Sequence, residues 1–392
     1  MEPNHILFNL FLIFTGAALL STLVLLTRQS LLVAYLLLGL LFGPFGLKLI
    51  PDRELARQIG DIGIIFLLFL LGVELNPRDL WQMFLKISWI AILSSIIFFI
   101  VGAGVAYIFG FTLEECVVVG AAMMFSSTII GLKLLPSSTL HHQRVGEIMV
   151  GILLFQDLIA IAAMLVIHGM ATPGGAYWLD FGMALITLPT LLLVAFSVER
   201  YVLRPMLSRF DTVQEYIFLV AIAWCLGMAK LAAHFGLSDE IGAFIAGVAI
   251  AEGPIASYIT ENLRPIRDFC LVMFFFTIGA GFNLQLLPEI LVPAILLAAI
   301  FLIFKPYVFE FLLKRSGEVR HIAAEAGVRL GQASEFSLLL GVMAYQMVPD
   351  LIDAKTNYLI QAVTIITFIV SCYWVGSKYP TPMSFDKKLH KA

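Results

Sequence analysis

The sequence predicts an all-α polytopic membrane protein of about 13 transmembrane helices, built as two inverted six-helix repeats with a matched pair of interrupted helices. Three observations carry that prediction. Hydrophobic residues make up 60% of the 392-residue chain and charged ones only 13%, with a mean hydropathy of +0.98; a soluble domain sits near 45–50% apolar and about 25% charged. The apolar residues gather into blocks of bilayer-spanning length. Two of those blocks, seven apart in order, are broken by small polar residues at matching places.

A window of about 19 residues finds apolar segments at 6–26, 31–50, 58–75, 84–109, 114–135, 145–168, 177–197, 213–235, 239–253, 265–282, 286–314, 322–346 and 356–377. A helix needs about 20 residues to cross about 30 Å of hydrocarbon. Each segment is near that length, and the shortest is 239–253. Turn signals separate them: "LNPRD" at 75–79, "LPSS" at 135–138, "ATPGG" at 171–175 and "LRP" at 203–205 and 263–265. The first segment has no basic residue before it and no cleavage site after it, so it reads as a first span rather than a cleaved signal peptide.

Basic residues orient the chain. With the N-terminus outside, one side collects Arg28, Arg78, Lys86, Lys133, Arg144, Arg200, Arg204, Arg209, Arg264, Arg267, Lys314, Arg315 and Arg320, together with the tail lysines of residues 378–392; the other keeps only Lys48, Arg53, Arg57 and Lys355. The first side is therefore cytoplasmic, and the span number is odd. The net charge of −3, with no basic stripe interleaved with aromatics, excludes a nucleic-acid partner. Cys116, Cys225, Cys270 and Cys372 match no zinc or redox spacing and read as small hydrophobes. No cofactor and no resident metal is expected. His141 and His142 lie in a cytoplasmic loop with Arg144 and lack a third ligand.

Thirteen spans divide as six, a linker and six. Corresponding helices are then an odd number apart, which gives the halves opposite topology, the architecture of secondary transporters with paired interrupted helices near the midplane. The fifth span carries "MMFSSTIIGLKLLP" (123–136), interrupted by Ser126, Ser127, Thr128 and Gly131. The twelfth carries "GVRLGQASEFSLLLG" (327–341), interrupted by Arg329, Gly331, Gln332, Ser334 and Glu335. Small and hydroxyl residues also serve close helix packing; unwound backbone is tolerated in a membrane only where protein or a cavity surrounds it. Between them lies "GILLFQDLIAIAAMLVIHG" (151–169), a span except for Asp157, with Gln156 beside it. An ionised carboxylate at the bilayer centre costs about 2.5–3.5 kcal/mol or more.

Taken in order, "AYLLLGLLFGPFGLKLI" (34–50), "LFLLGVELNPRDLW" (68–81), "MFSSTIIGLKLL", "LLFQDLIAI", "AFIAGVAIAEG" (243–253), "LVMFFFTIGAGFNL" (271–284), "IFKPY" (303–307) and "GVRLGQASEFSLLLG" resemble the membrane domain of Kef-type monovalent cation:proton antiporters over about residues 10 to 375. The resemblance implies a sodium/proton-antiporter-like fold within residues 1–377, in which the interrupted fifth and twelfth helices are crossed near the site. Its scaffold comprises approximately 6–75 and 213–282, its ion-binding core 84–168 and 286–377, and its linker helix 177–197. It also implies a homodimer in a bacterial plasma (inner) membrane, with residues 378–392 as a short cytoplasmic tail. Kef systems usually continue into a soluble nucleotide-binding regulatory domain. No Gly-x-Gly-x-x-Gly unit follows a predicted strand here, so a naturally short chain, a separate regulatory subunit and a truncated piece all stay open.

That setting gives the buried acid a use. A carboxylate in a cavity binds either a proton or a dehydrated monovalent cation, and whichever is loaded neutralises it for the crossing. Asp157 is the expected ion ligand and proton carrier, lined by Ser126, Ser127 and Thr128. Gln156, the Gln-Asp form of the Kef type, offers an oxygen or an amide but cannot titrate, which predicts electroneutral one-for-one exchange. Lys305 matches a family position and is the expected counter-charge for an unloaded Asp157. Arg329 and Glu335, six apart, lie on opposite faces of a regular helix and are expected, with Gln332 and Ser334, to support the crossing. K+/H+ exchange leads. Na+/H+ exchange on the same scaffold, a channel-like potassium efflux pore and a non-transporting sensor are the alternatives; an enzyme would need a catalytic constellation that one central acid does not supply.

Overall fold

The computed structural model describes residues 3–27, 29–50, 54–74, 77–133, 144–170, 177–210, 213–235, 237, 239–251, 256–347 and 351–379, and no strand occurs among them. The helices are α1 (Pro3–Leu26), α2 (Leu31–Phe42), α3 (Glu54–Glu74), α4 (Pro77–Ile108), α5 (Leu113–Met123), α6 (Thr128–Lys133), α7 (Arg144–Met170) and α8 (Tyr177–Val198). They continue as α9 (Arg204–Arg209), α10 (Gln214–His234), α11 (Asp239–Ile250), α12 (Ala256–Gly281), α13 (Leu287–Arg315), α14 (Arg320–Arg329), α15 (Glu335–Met347) and α16 (Ala354–Lys378). The loop histidines His141 and His142, Arg28, Arg53 and the tail beyond Tyr379 lie outside the described residues.

Helix limits depart from the apolar segments in an instructive way. α4 begins at Pro77 and α12 at Ala256, well ahead of 84 and 265. A hydropathy window marks only the apolar stretch, while backbone hydrogen bonding carries a helix on into polar sequence. The segment 177–197 runs out through a π-turn, Glu199–Leu203, into α9. Six described stretches are by themselves long and apolar enough to cross a bilayer: Ile6–Leu26, Ile87–Ile108, Arg144–Met164, Gln214–His234, Leu284–Arg315 and Ala354–Lys378. Of the other expected spans, 31–50 and 239–253 form short helices (α2 and α11, 12 residues each), and 114–135 and 322–346 are split into the half-helices α5/α6 and α14/α15.

The chain divides into two compact units. The first holds Met1–Leu20, Tyr35–Trp81 and His168–Phe282; the second holds Ser21–Ala34, Gln82–Ile167 and Asn283–Ala392. In the first, α11 and α12 both pack along α3, and α10 packs on α11. Ile13, Ala17, Leu38, Val272, Met273 and Phe276 form a core between α1, α2 and α12. The α3–α11 crossing depends on two glycines facing each other. A Cβ on Gly72 would lie 2.4 Å from the Phe244 carbonyl oxygen, and one on Gly247 would lie 2.0 Å from that of Phe69. Neither backbone can yield without parting the helices. Gly247→Ala should therefore destabilise by about 1–3 kcal/mol despite alanine's better helix propensity, read as a lower thermal unfolding midpoint in detergent.

In the second unit, α13 packs against α14 and α16, and α15 against α16 and α5. A capping box starts α5: the Thr112 hydroxyl accepts from Glu115 N–H, and Glu115 Oε2 accepts from Thr112 N–H at 2.9 Å. Glu115 Oε1 accepts from the Thr356 hydroxyl at 2.7 Å, while Asp353 caps α16 by accepting from Thr356 N–H at 2.7 Å. One carboxylate thus ties together the starts of α5 and α16.

Candidate ion site

Two runs of unwound backbone meet in the second unit: residues 124–127 between α5 and α6, and residues 330–334 between α14 and α15. Hydroxyl side chains make both breaks by competing for backbone groups. Ser127 Oγ accepts from Ile130 N–H at 3.0 Å, capping α6, and Ser334 Oγ accepts from Phe336 N–H at 3.1 Å, capping α15.

Each freed backbone group needs a partner, because an unsatisfied one in a membrane costs several kcal/mol. Gln156 serves two: its Oε1 accepts from Ser126 N–H at 3.1 Å and its Nε2 donates to the Met124 carbonyl at 3.2 Å. Lys305 serves one carbonyl at each break, donating to Phe125 O at 2.6 Å and to Gln332 O at 3.2 Å. The Ser126 hydroxyl crosses from the first break to the second, donating to Leu330 O at 2.8 Å. Gln332 returns the crossing, with Nε2 3.4 Å from Ser127 O, and its Oε1 accepts from Ser371 Oγ at 3.0 Å. Ala333 N–H donates to Thr367 Oγ1 at 3.1 Å.

Asp157, one exposed percent, sits on α7 beside the first break. The Thr128 hydroxyl reaches both its carboxylate oxygens, at 3.2 and 3.4 Å. Glu335, buried at the start of α15, acts on Asp157 electrostatically.

Every side chain expected at the ion site therefore lies in this unit, all buried except half-buried Thr128. Several do something other than expected. Among the described residues Lys305 makes no ion pair with Asp157. Its ammonium lies over the faces of Phe98 and Phe301, 5.2 and 5.6 Å from their centroids, and is held by carbonyls from both breaks. Carbonyl dipoles and ring quadrupoles supply there what a carboxylate was expected to supply. Gln156 is a backbone clamp with both ends of its amide engaged. Arg329 pairs with Glu325, one helical turn back, at 2.7 Å, while Glu335 lies buried on the far side of the break, at the start of α15. Thr367, Ser371, Phe98 and Phe301 were missed. Thr364, Thr367 and Ser371 repeat at helical spacing in an apolar span, the one signal that could have found the first two.

Among solved structures the chain is similar to the sodium proton antiporter MjNhaP1 of Methanocaldococcus jannaschii at pH 8, with a TM-score of 0.72 at 17% identity, covering 96% of this chain and 98% of that one. An electron-microscopy structure of that antiporter gives 0.66 at 15% identity, over 96% and 97%. Such identities speak for the fold alone. Among characterised proteins the iron transporter MagA of Paramagnetospirillum magneticum is 29% identical over 355 residues, 89% of this chain and 80% of that protein. Residues 11–377 match the transmembrane sodium/hydrogen exchangers, a family of multi-pass membrane transporters, and the chain belongs to that family.

Proposed function

We propose that this protein exchanges a monovalent cation for protons across a bacterial plasma membrane, with its N-terminus outside and K+ as the leading substrate. Na+ is the alternative on the same site. The observation that carries the reading is Asp157: a buried carboxylate beside the unwound breaks, touched among the described residues by a single hydroxyl, in a chain of the sodium/hydrogen exchanger family. Its spare acceptor capacity suits either a proton or a cation. Gln156, Ser126, Ser127, Gln332 and Ser334 hold the breaks open around it, and Arg329 steadies the second. In this reading the second unit is the ion-binding core, the first is the scaffold through which a homodimer forms, and the two halves are inverted repeats. The Kef-type motifs favour K+.

On Asp157 alone, exchange is one-for-one and electrically silent. Glu335 is the group that would make it otherwise, and a turnover-linked capacitive current would show it. Glu335, the second buried carboxylate, also favours a second reading, in which two carboxylates take an iron ion, the cargo named for the similar iron transporter. The experiment is an imposed pH gradient in proteoliposomes carrying an internal pH dye, with K+, Na+ or, anaerobically, Fe2+ added in turn. Proton movement with K+ is the expected result. Movement with Na+ or Fe2+ alone reassigns the substrate, cation flux without proton movement makes the protein a pore, and no ion-dependent movement at all overturns transport.

A further inference from the structure

The second break is held from a direction the ion site does not explain. Arg329 is the last residue of α14 and immediately precedes the break, whose first carbonyl, Leu330 O, receives the Ser126 hydroxyl. Its side chain is fully buried, so the guanidinium must be matched from within. One match is Glu325, at 2.7 Å from Nη2 and 3.0 Å from Nε. Another is the ring of Tyr379, with the guanidinium carbon 5.7 Å from its centroid, inside cation–π range. Tyr379 is the C-cap of α16, where the backbone turns extended at φ −127° and ψ 155°. Lys378 approaches the same ring at 5.8 Å.

The other side of α14 has no play. A Cβ on Gly327 would lie 2.6 Å from the Pro306 carbonyl oxygen, one residue from Lys305. α14 is thus pinned between α13 and the end of α16, and its last residue hands that position to Leu330 and Gln332.

We infer that Tyr379 is a positioning residue for the ion site, acting through Arg329 to set the carbonyls of the second break. Without the ring, Arg329 keeps Glu325 but loses the surface that fixes where the pair sits along α14. The carbonyls taken by Ser126 and Lys305 then shift with it, and cation affinity falls while the carboxylate chemistry is untouched. The hydroxyl has no part in this, so phenylalanine preserves the function and leucine does not.

The test compares Tyr379→Leu and Tyr379→Phe with the wild type in two measurements. Hydrogen–deuterium exchange in nanodiscs requires no transport: the leucine variant should exchange faster at residues 328–334, the phenylalanine variant should match wild type, and the thermal midpoint of both should stay within a few degrees. Unchanged protection at 328–334 in Tyr379→Leu, or loosening spread through α14 and α16 with a collapsed midpoint, overturns the inference. The flux measurement rests on the exchange reading above. There the leucine variant should raise the cation KM on the order of three- to tenfold, the scale of a partly desolvated cation–π contact, with Vmax within about twofold, and phenylalanine should restore it. An unchanged KM with altered protection would mean that the break's position does not matter to binding, which also overturns the role. A wild type inactive with every cation would sink the exchange reading and leave the protection result to stand alone.

Discussion

Asp157→Asn is expected to lower cation-coupled proton movement by about 10²-fold or more, the scale on which a positioned proton-transfer group matters, and to leave the fold intact. Asparagine has the shape of aspartate, and its amide oxygen can still accept from Thr128 Oγ1. It lacks a titratable proton and a negative charge. The rate loss should appear at saturating as well as limiting cation, since a site that cannot alternate between proton and cation is not rescued by more of either. Proteoliposome flux with the internal pH dye checks it, with thermal unfolding alongside. Because Asp157 is buried without an ion partner among the described residues, neutralising it should hold or raise the unfolding midpoint. An ion-paired structural acid would do the reverse, and a retained rate would move the carrier role to Glu335, whose variant Glu335→Gln then becomes decisive.

What could be read from the sequence follows from what sequence encodes locally. The two breaks were legible because Ser126-Ser127-Thr128 and Gly331-Gln332-Ala333-Ser334 place backbone-competing or small residues inside apolar runs, and the caps at Ser127 and Ser334 are the local outcome. Asp157 was legible because a bilayer makes any central charge conspicuous. The partners were not. Lys305 is 180 residues from Phe125, and a charge in a span says only that it must be matched, not whether carbonyls, rings or a carboxylate will match it. Opposite charge was the simplest guess, and the carbonyls freed by both breaks are the answer instead. Arg329 is a different case. Its Glu325 partner stands at i−4, the most readable spacing on a helix, yet the sequence reading named no partner for it, because Glu325 lies just outside the polar-interrupted stretch 327–341. Helix lengths escaped for a third reason: hydropathy reports apolar thickness, while Pro77 and Ala256 begin helices ahead of it.

Lys305→Met separates the clamp from the counter-charge. Methionine fills much of the same volume and suits the Phe98 and Phe301 faces, so packing is nearly kept while the ammonium disappears. Phe125 O and Gln332 O then lose their shared donor in the interior. Hydrogen bonds to a charged group contribute about 1.5–3 kcal/mol each, and the stranded acceptors add their own desolvation cost. We expect the unfolding free energy to fall by about 3 kcal/mol or more, a larger loss than that of any hydroxyl at the breaks. The double variant with Asp157→Asn makes the distinction sharp. A direct Lys–Asp pair predicts strong coupling, the second substitution costing far less once the first is made. The clamp predicts that the two effects add within about 0.5 kcal/mol, as for groups with no shared partner, because Asp157 is held by Thr128 and Lys305 by backbone. Coupling well above that value would mean that the ammonium reaches Asp157 for much of its time, and the carbonyls seen here would then be its resting place between visits.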